Sequence, residues 1–436
     1  MRQHKKTLFV LLIVLASFLI RLYFVFTDTR LMDGDQAAYV EYAMSLLQRH
    51  EFADGKGNPT AYITPLYPVF LSTIYFFFGH SYLWVRIWQA LLGSIVCFVV
   101  YLISKEIFNE AAALTALLLM GIHYFFISYG MLVFSENLFI FLVGLNTLCL
   151  LRFCKNPSYI FACLFGATAG LATLTRSAYF FFPFMAVAIL FLMGRSINIG
   201  HKKLLKFAAV MIISSVIPVS VWTARNYFVF RSFVPLGTEA GVVFYAAYNP
   251  HKGKILDACI HDDVTLKTSN MTEIECNRYL LRQTLMAVKK DPSKIYRYIP
   301  LRLMYFFSVF DWAAFKTYGA YNFSTAFILP LSFFGIFISF RRKDIPGIKL
   351  IALLPVIYFL LVTMFIMGVP RTRLPVEPYL IIFAAFFVNY ACQKSRFKLI
   401  TAGAFGFWYF LNWFIYLNSG SAKAIARGIF QKIGLW

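Results

Sequence analysis

Apolar residues run along this chain in blocks, each closed by a short polar segment, and the blocks recur from residue 7 to residue 417. Crossing a bilayer core takes about 20 apolar residues in one helix. Runs at 7–26, 83–103, 111–128, 137–153, 159–175, 178–194, 207–224, 323–340, 347–368, 376–392 and 397–417 come close enough to qualify. They predict an all-α, polytopic membrane helical bundle of about 11 spans, range about 9–13. The first run follows a basic start, MRQHKK, as a signal peptide would. It is too long for one, and no small-residue cleavage site precedes Arg21, so it reads as an uncleaved span.

The polar segments then supply an orientation. With the N-terminus inside, the cytoplasmic segments 1–6, 104–110, 152–158, 195–206, 341–349 and 393–398 carry 17 Lys and Arg. The exterior segments 27–82, 128–136, 175–178 and 369–375 carry six. That asymmetry is the one cytoplasmic loops show. It also decides the run TPLYPVFLSTIYFFFG (64–79), which as a span would put every later basic cluster outside. The run is placed as an exterior interfacial or re-entrant helix opening at Pro65 and Pro68. IPLRLMYFFSVFDW (299–312), with Arg302 and Asp311 inside it, is laid along the surface too.

One membrane domain, 1–436, results. Its parts are a first exterior loop with juxtamembrane helices (27–82), a large exterior loop (225–322), and C-terminal spans with a basic amphipathic tail (323–436). In the large loop TEIECNRYLLRQTLMAVKK (272–290) reads as a helix. Thr272 and Glu275 form its capping box, Ile274, Leu281, Leu285 and Val288 its stripe, and Asp291-Pro292 its end. No repeat of fixed period is visible.

Composition agrees with a membrane protein: 60% hydrophobic, 14% charged and a mean hydropathy of +0.69. The net charge of +22 would suggest nucleic acid in a soluble chain. Here the topology accounts for it, and no nucleic-acid partner is expected. Aromatic residues, 50 Phe and 26 Tyr, suit lipid-facing surfaces and interfacial belts, or a groove for a long hydrophobic ligand.

The chemistry concentrates at the exterior face. In LMDGDQAAYVEYAMSLL (31–47), Val40, Ala43, Met44 and Leu47 follow i, i+3, i+4, i+7, so the helix lays that face on the membrane. Asp33 and Gln36 fit a capping box, and Asp35 falls in the first turn, where the helix dipole favours an acid. Tyr39 and Tyr42 share a face with Asp35, a carboxylate positioned to take a proton from an arriving hydroxyl. Helix stabiliser and proton acceptor both stand as readings of Asp35. Glu136 lies in the short turn GMLVFSENL, where Ser135, Glu136 and Asn137 could equally cap the next span. Arg86, Arg176, Arg225, Arg371 and Arg373 fall near exterior span ends. Each alone could snorkel or pair with an acid; together they suit an anion such as a membrane-tethered phosphate.

At these residues the chain resembles the GT-C membrane glycosyltransferases, in particular the family 39-like protein O-mannosyltransferases and the lipid A aminoarabinose transferase. The pieces that carry the resemblance are, in order, DQAAYVEYAMSLL, NPTAYITPLYPVFL, RIWQALLG, SENLF, GLATLTRSAYFFFP, VWTARNYFVFRSFVPLGTEAGVVFYAAYNP and RTRLPVEPYLIIFAA. The chain departs from the pattern at Thr64, where the family often has a second Pro, and at His123, which replaces a usual Pro. The resemblance implies a sugar donor linked to polyprenyl phosphate, an acceptor hydroxyl on a lipid, glycan or protein, and a site outside a bacterial inner membrane. It implies Asp35, followed four residues on by Tyr39, as the catalytic carboxylate and Glu136 as the second acid. Arg176, Arg225 and Arg371 or Arg373 are the implied phosphate ligands. One displacement, with Asp35 as base, predicts inversion at the sugar carbon. No cofactor is required; a divalent metal held by the acids is compatible with this chemistry, but no ligand spacing demands one.

A rival of another class is a polyprenyl-phosphate transporter or flippase, which would use the same arginines. Transporters bury charge near the midplane and show repeats, whereas here the charge lies at one face. A purely structural assembly subunit explains neither Asp35 nor the arginines. Of the seven cysteines, Cys259 and Cys276 are candidates for a disulfide across the large loop. CIHDD (259–263) with His251 reads as an exposed polar turn, and Asn270 and Asn322 sit in glycosylation sequons by pattern alone.

Overall fold

In a computed structural model of the chain the apolar runs are helices. The structure describes residues 2–28, 30, 34–194, 199–248, 262–309, 322–341, 346–366, 368, 370–393, 406, 408–410 and 413. Among them regular structure is helical apart from one antiparallel bridge, Ala53 with Pro59. The residues fall into two compact units: 1–237 with 331–356 and 375–389, and 238–330 with 357–374 and 390–436.

The first unit opens with α1 (Arg2–Thr27), α2 (Asp35–Arg49) and α3 (Leu66–Phe78). It continues through α4 (Tyr82–Ile107), α5 (Glu110–Gly121), α6 (Tyr124–Gly130), α7 (Glu136–Lys155), α8 (Tyr159–Thr175), α9 (Phe182–Leu192) and α10 (His201–Phe230). The second unit holds α11 (Glu239–Tyr248), α12 (Asp262–Thr268), α13 (Glu273–Lys290), α14 (Lys294–Arg297) and α15 (Ile299–Phe307). Then come α16 (Phe323–Arg341), α17 (Pro346–Phe365) and α18 (Glu377–Gln393). Every expected span from 7–26 to 376–392 falls on a helix, and 397–417 lies largely outside the described residues, as does the C-terminal tail. Among the described residues six helices are individually long and apolar enough to cross a membrane. The pair α5 and α6, bent by 51° at the break, makes a seventh if counted as one span. The chain is a multi-pass membrane protein.

The two doubtful runs are short helices. α3 has 13 residues and α15 nine, against the roughly 20 a span requires. Proline starts both: Pro65 caps α3, and Pro300 sits in the first turn of α15, where its missing N–H would have no partner anyway.

Two features hold the first unit. α8 meets α10 through Gly166 and Gly170: a Cβ at Gly166 would lie 2.3 Å from the Met211 carbonyl oxygen, and one at Gly170 2.5 Å from that of Ser215. Only glycine admits backbones this close. α18 is the buried pillar. Asn389 donates to Thr115 Oγ1 of α5 at 2.9 Å, and the Tyr379 and Thr147 hydroxyls meet at 2.7 Å. At Gly335 a Cβ would lie 2.0 Å from the Phe383 oxygen, so α16 also lies tight against α18. In the second unit α13 carries the expected capping box, Thr272 with Glu275, and Asp291 follows its last turn. Its packed face differs from the expected stripe. Leu280 and Thr284 are buried and Leu285 is exposed, because Gly241 of α11 seats its N–H on Asn277 Oδ1 at 2.8 Å and turns that face inward.

Candidate active site

Asp35 is the first residue of α2, and the residue that caps the helix is Gly34, at φ 51°, a conformation glycine adopts without a Cβ penalty. The Asp35 side chain is exposed. Asp33 lies outside the described residues. The capping-box reading therefore falls outside the described residues; Gln36 is buried, and its Oε1 accepts the Val133 N–H at 2.9 Å. One turn after Asp35, the Tyr39 hydroxyl lies 3.4 Å from Ser135 Oγ, and its ring meets Tyr67 edge-on. The start of α2 is thereby fastened to the turn 131–135, which ends at Glu136.

The apolar stripe of α2 does not face the membrane as expected. Val40 and Ala43 are buried against Tyr67, Leu71, Ile74 and Tyr75 of α3, with Met44 and Leu47 packed alongside. A stripe at helical spacing serves lipid or protein equally, and α3 occupies it. Tyr42 is also buried rather than sharing a polar face with Asp35, and stacks on Phe52.

Glu136 opens α7 and is buried; its Oε1 lies 3.2 Å from the Arg176 Nη2. Arg176 follows the last turn of α8, half-buried, with its guanidinium 6.0 Å from the Phe139 ring centre. The turn before Glu136 is held from behind: Gln89 Nε2 donates to the Leu132 oxygen at 2.8 Å, and Asn137 Nδ2 to the Gln89 oxygen at 3.2 Å.

The remaining arginine candidates separate by what they hold. Arg86 donates to the Asp28 and Arg30 carbonyl oxygens, both at 3.0 Å. Arg225 donates to those of Phe52 and Thr60, both at 2.7 Å, and its charge lies 5.0 Å from the Trp222 ring centre. Both guanidinium groups therefore fix loop backbone beside α2. In the second unit Arg373 is fully buried, donating to the Phe306 oxygen, to that of Ser308 at 2.9 Å and to Thr325 Oγ1 at 3.3 Å. Arg371, in the same 3-10 turn (Pro370–Arg373), is half-buried.

Two residues beside the site, Asp28 and Arg30, and in the second unit Arg302 were given no functional role from the sequence. Arg30 pairs with Asp28 and donates to the Ser128 oxygen at 2.8 Å and Oγ at 3.1 Å, tying Arg30 to α6. Burial pushes the Asp28 carboxyl up, but its bonds from Arg30 and the charge of Arg86 outweigh this and hold it below its usual value. The signal was the acid and base two residues apart just past the first span. Arg302 is buried in α15 and donates to the Met364 and Ala247 oxygens at 2.8 and 2.7 Å. A lone arginine in an apolar nine-residue helix marked it.

Gln36 and Tyr39, within a turn of Asp35, thus meet the 131–135 turn, and Glu136, which follows it, pairs with Arg176. Among the described residues no group of three or more His, Cys, Asp or Glu side chains could hold a metal ion. The Cys259–Cys276 pairing and most of the 259–263 stretch, with His251, lie outside the described residues.

Residues 59–222 match the sequence profile of the family described as dolichyl-phosphate-mannose-protein mannosyltransferase. No curated protein matches the chain. Among solved structures the chain is similar to the archaeal oligosaccharyltransferase AglB from Archaeoglobus fulgidus, in complex with an inhibitory peptide and a dolichol-phosphate. The identity is 17%, covering 94% of this chain and 54% of that one, with a TM-score of 0.59. Another structure of the Archaeoglobus fulgidus oligosaccharyltransferase, in complex with Zn and sulfate, matches at 15% identity over 92% of this chain and 52% of that one, TM-score 0.58. ArnT from Cupriavidus metallidurans, bound to undecaprenyl phosphate, matches at 14% identity over 88% of this chain and 60% of that one, TM-score 0.55. The chain spans little more than half the length of these structures. The likeness shows the fold, and with the family match it bears out the resemblance to GT-C membrane glycosyltransferases.

Proposed function

We propose that this protein transfers a sugar from a polyprenyl-phosphate donor to an acceptor hydroxyl at the extracytoplasmic membrane face, by a single inverting displacement. The observation that carries this reading is the fastening of Asp35, through Tyr39 and Ser135, to the turn that opens on the Glu136–Arg176 pair. The dolichol-phosphate and undecaprenyl phosphate in the similar structures support the donor class. The exterior placement of these residues follows from the basic loops on the opposite side, which suit a bacterial inner membrane with the N-terminus inside.

In the reaction the acceptor oxygen attacks the anomeric carbon while Asp35 takes its proton. The bond from that carbon to the phosphate oxygen breaks, and polyprenyl phosphate leaves carrying the electron pair. Arg176, half-buried and held by Glu136, faces the negative charge that develops on the leaving phosphate. Attack from the side opposite the leaving group inverts the sugar carbon. Tyr39 orients the acceptor next to Asp35, and Arg371 is a second candidate for the donor phosphate. Arg86 and Arg225 have donors on backbone oxygens and support the fold around the site, and Arg373 does the same within the second unit. A Zn-bearing relative makes a divalent metal compatible, but no step here is routed through one.

The test is Asp35→Asn in the full-length protein in lipid nanodiscs. Asparagine keeps the shape and loses the base. Transfer from a polyprenyl-phosphate sugar should fall about 100-fold or more, the scale of general-base removal, while donor binding persists. Transfer at the wild-type rate would remove Asp35 from the mechanism.

A further inference from the structure

One buried titratable pair takes no part in the reaction as proposed. His123 Nε2 lies 3.5 Å from Glu377 Oε2, with side chains 1% and 0% exposed. An ionisable side chain inside a membrane bundle is costly to keep and points to function by default. The position of this pair shows what it controls.

His123 stands at the 51° break between α5 and α6. It caps α6, its Nδ1 accepting the Phe126 N–H at 3.3 Å, so that ring nitrogen carries no proton and Nε2 is the one facing Glu377. Glu377 begins α18, the helix that also holds α5 through Asn389 and α7 through Tyr379. The end of α5 has its own support. Arg21 of α1 donates to the Gly121 and Met120 carbonyl oxygens at 3.1 and 3.5 Å. The pair with Glu377 therefore acts on α6.

The far end of α6 bears the site. Arg30 holds Ser128, Gln36 holds Val133 and Tyr39 meets Ser135, so the segment entering α2 is docked on α6 and the turn after it. α6 has seven residues, which at 1.5 Å each make a lever of about 10 Å. Tipping it by about 10° at His123 moves its end by roughly 2 Å, and a misplacement of about 1 Å costs on the order of 100-fold in rate.

We propose that His123 and Glu377 are a positioning pair for the transfer site, setting the tilt of α6 and through it the seat of Asp35 and Glu136. The inference rests on the transferase reading for its kinetic arm and stands alone in its structural arm. Two variants of the full-length protein in nanodiscs test it. Glu377→Gln keeps the side-chain shape and replaces the carboxyl group with an amide. His123→Asn keeps an acceptor for the cap of α6 and loses the ring that reaches Glu377.

In both, turnover per folded molecule should fall about tenfold or more, with affinity for an undecaprenyl phosphate probe unchanged within about twofold. The double variant should lose no more than the worse single one, because one contact is removed either way. Backbone hydrogen exchange should quicken over 124–136 and 34–40 and stay unchanged in α10. Unaltered turnover per folded molecule, or quickened exchange spread evenly over the bundle, overturns the proposal and leaves a pair that serves folding alone. If the wild-type protein transfers no sugar, the transferase reading fails. Exchange then decides: a silent 34–40 segment in Glu377→Gln ends the positioning claim as well.

Discussion

Glu136 and Arg176 meet at 3.2 Å, joining the first turn of α7 to the residue that closes α8. The two are unequal in burial: the acid side chain is 2% exposed and the arginine 26%. Removing Arg176 takes a guanidinium away from a buried carboxylate, whereas removing the acid leaves a guanidinium that water reaches. Arg176→Ala should cost about 2 kcal/mol after allowance for its partial exposure, and Glu136→Gln less than about 1 kcal/mol. Thermal unfolding of both variants checks the order, and equal losses would refute it.

Arg371 and Arg373 share one turn and should separate in assay. Arg373 is buried with its donors on Phe306, Ser308 and Thr325, so Arg373→Ala should lower the unfolding temperature by several degrees. Arg371→Ala should weaken binding of a polyprenyl-phosphate sugar about tenfold. Unchanged affinity in Arg371→Ala would exclude it as a phosphate ligand.

Arg225 staples the 52–60 loop beside α2. Its fork reaches two carbonyl oxygens at once, a geometry lysine lacks. Arg225→Lys and Arg225→Ala should both quicken hydrogen exchange across 52–60, with a local stability loss of about 2 kcal/mol in the alanine variant. Full protection in the lysine variant would show that charge alone suffices.

Gly166 and Gly170 set the α8–α10 spacing. A Cβ at either position meets carbonyl oxygen rather than a side chain that could swing away. Gly166→Ala and Gly170→Ala should each destabilise by about 1–3 kcal/mol, with Gly166→Ala at least as severe. Unfolding in detergent measures this, and neutral substitutions would mean that the helices slide apart freely.

The α13 cap is sensitive to acid. The Glu275 carboxylate accepts from the Thr272 backbone N–H at 2.9 Å and from its hydroxyl at 2.8 Å, and these bonds hold its carboxyl below the usual range. A lowered folded value means that the stabilisation is complete above the unfolded value, about 4.3, and is lost as pH falls through the lower folded one. Exchange at the α13 N-terminus, relative to the unstructured rate at each pH, should therefore rise below about pH 4 in the wild type. Thr272→Ala should show that faster exchange already at neutral pH, at a cost of about 1 kcal/mol. A pH-independent α13 would contradict this.

Much of the architecture was legible because it depends on neighbours in sequence. Spans follow from the length of an apolar run, the short α3 and α15 from loop charge and proline, the α13 cap from Thr272 and Glu275 three residues apart. Asp35 in a first turn is a statement about one helix end, and it holds. Which face a helix buries was less readable. The α2 stripe found α3 rather than lipid, and α13 packs through Leu280 and Thr284, because the identity of a partner is written in another segment.

By itself, then, the sequence determined where helices form, how unevenly basic residues fall among the loops between them, and which few acids and arginines stand near helix ends. Only the tertiary structure decided their employment. It set Arg86 and Arg225 on loop carbonyls, paired Glu136 with Arg176, and brought His123 to Glu377. A guanidinium or carboxylate buried away from water must be satisfied by whatever dipole or charge the packing brings near it. That neighbour comes from a distant stretch of chain, so no local pattern of residues specifies it.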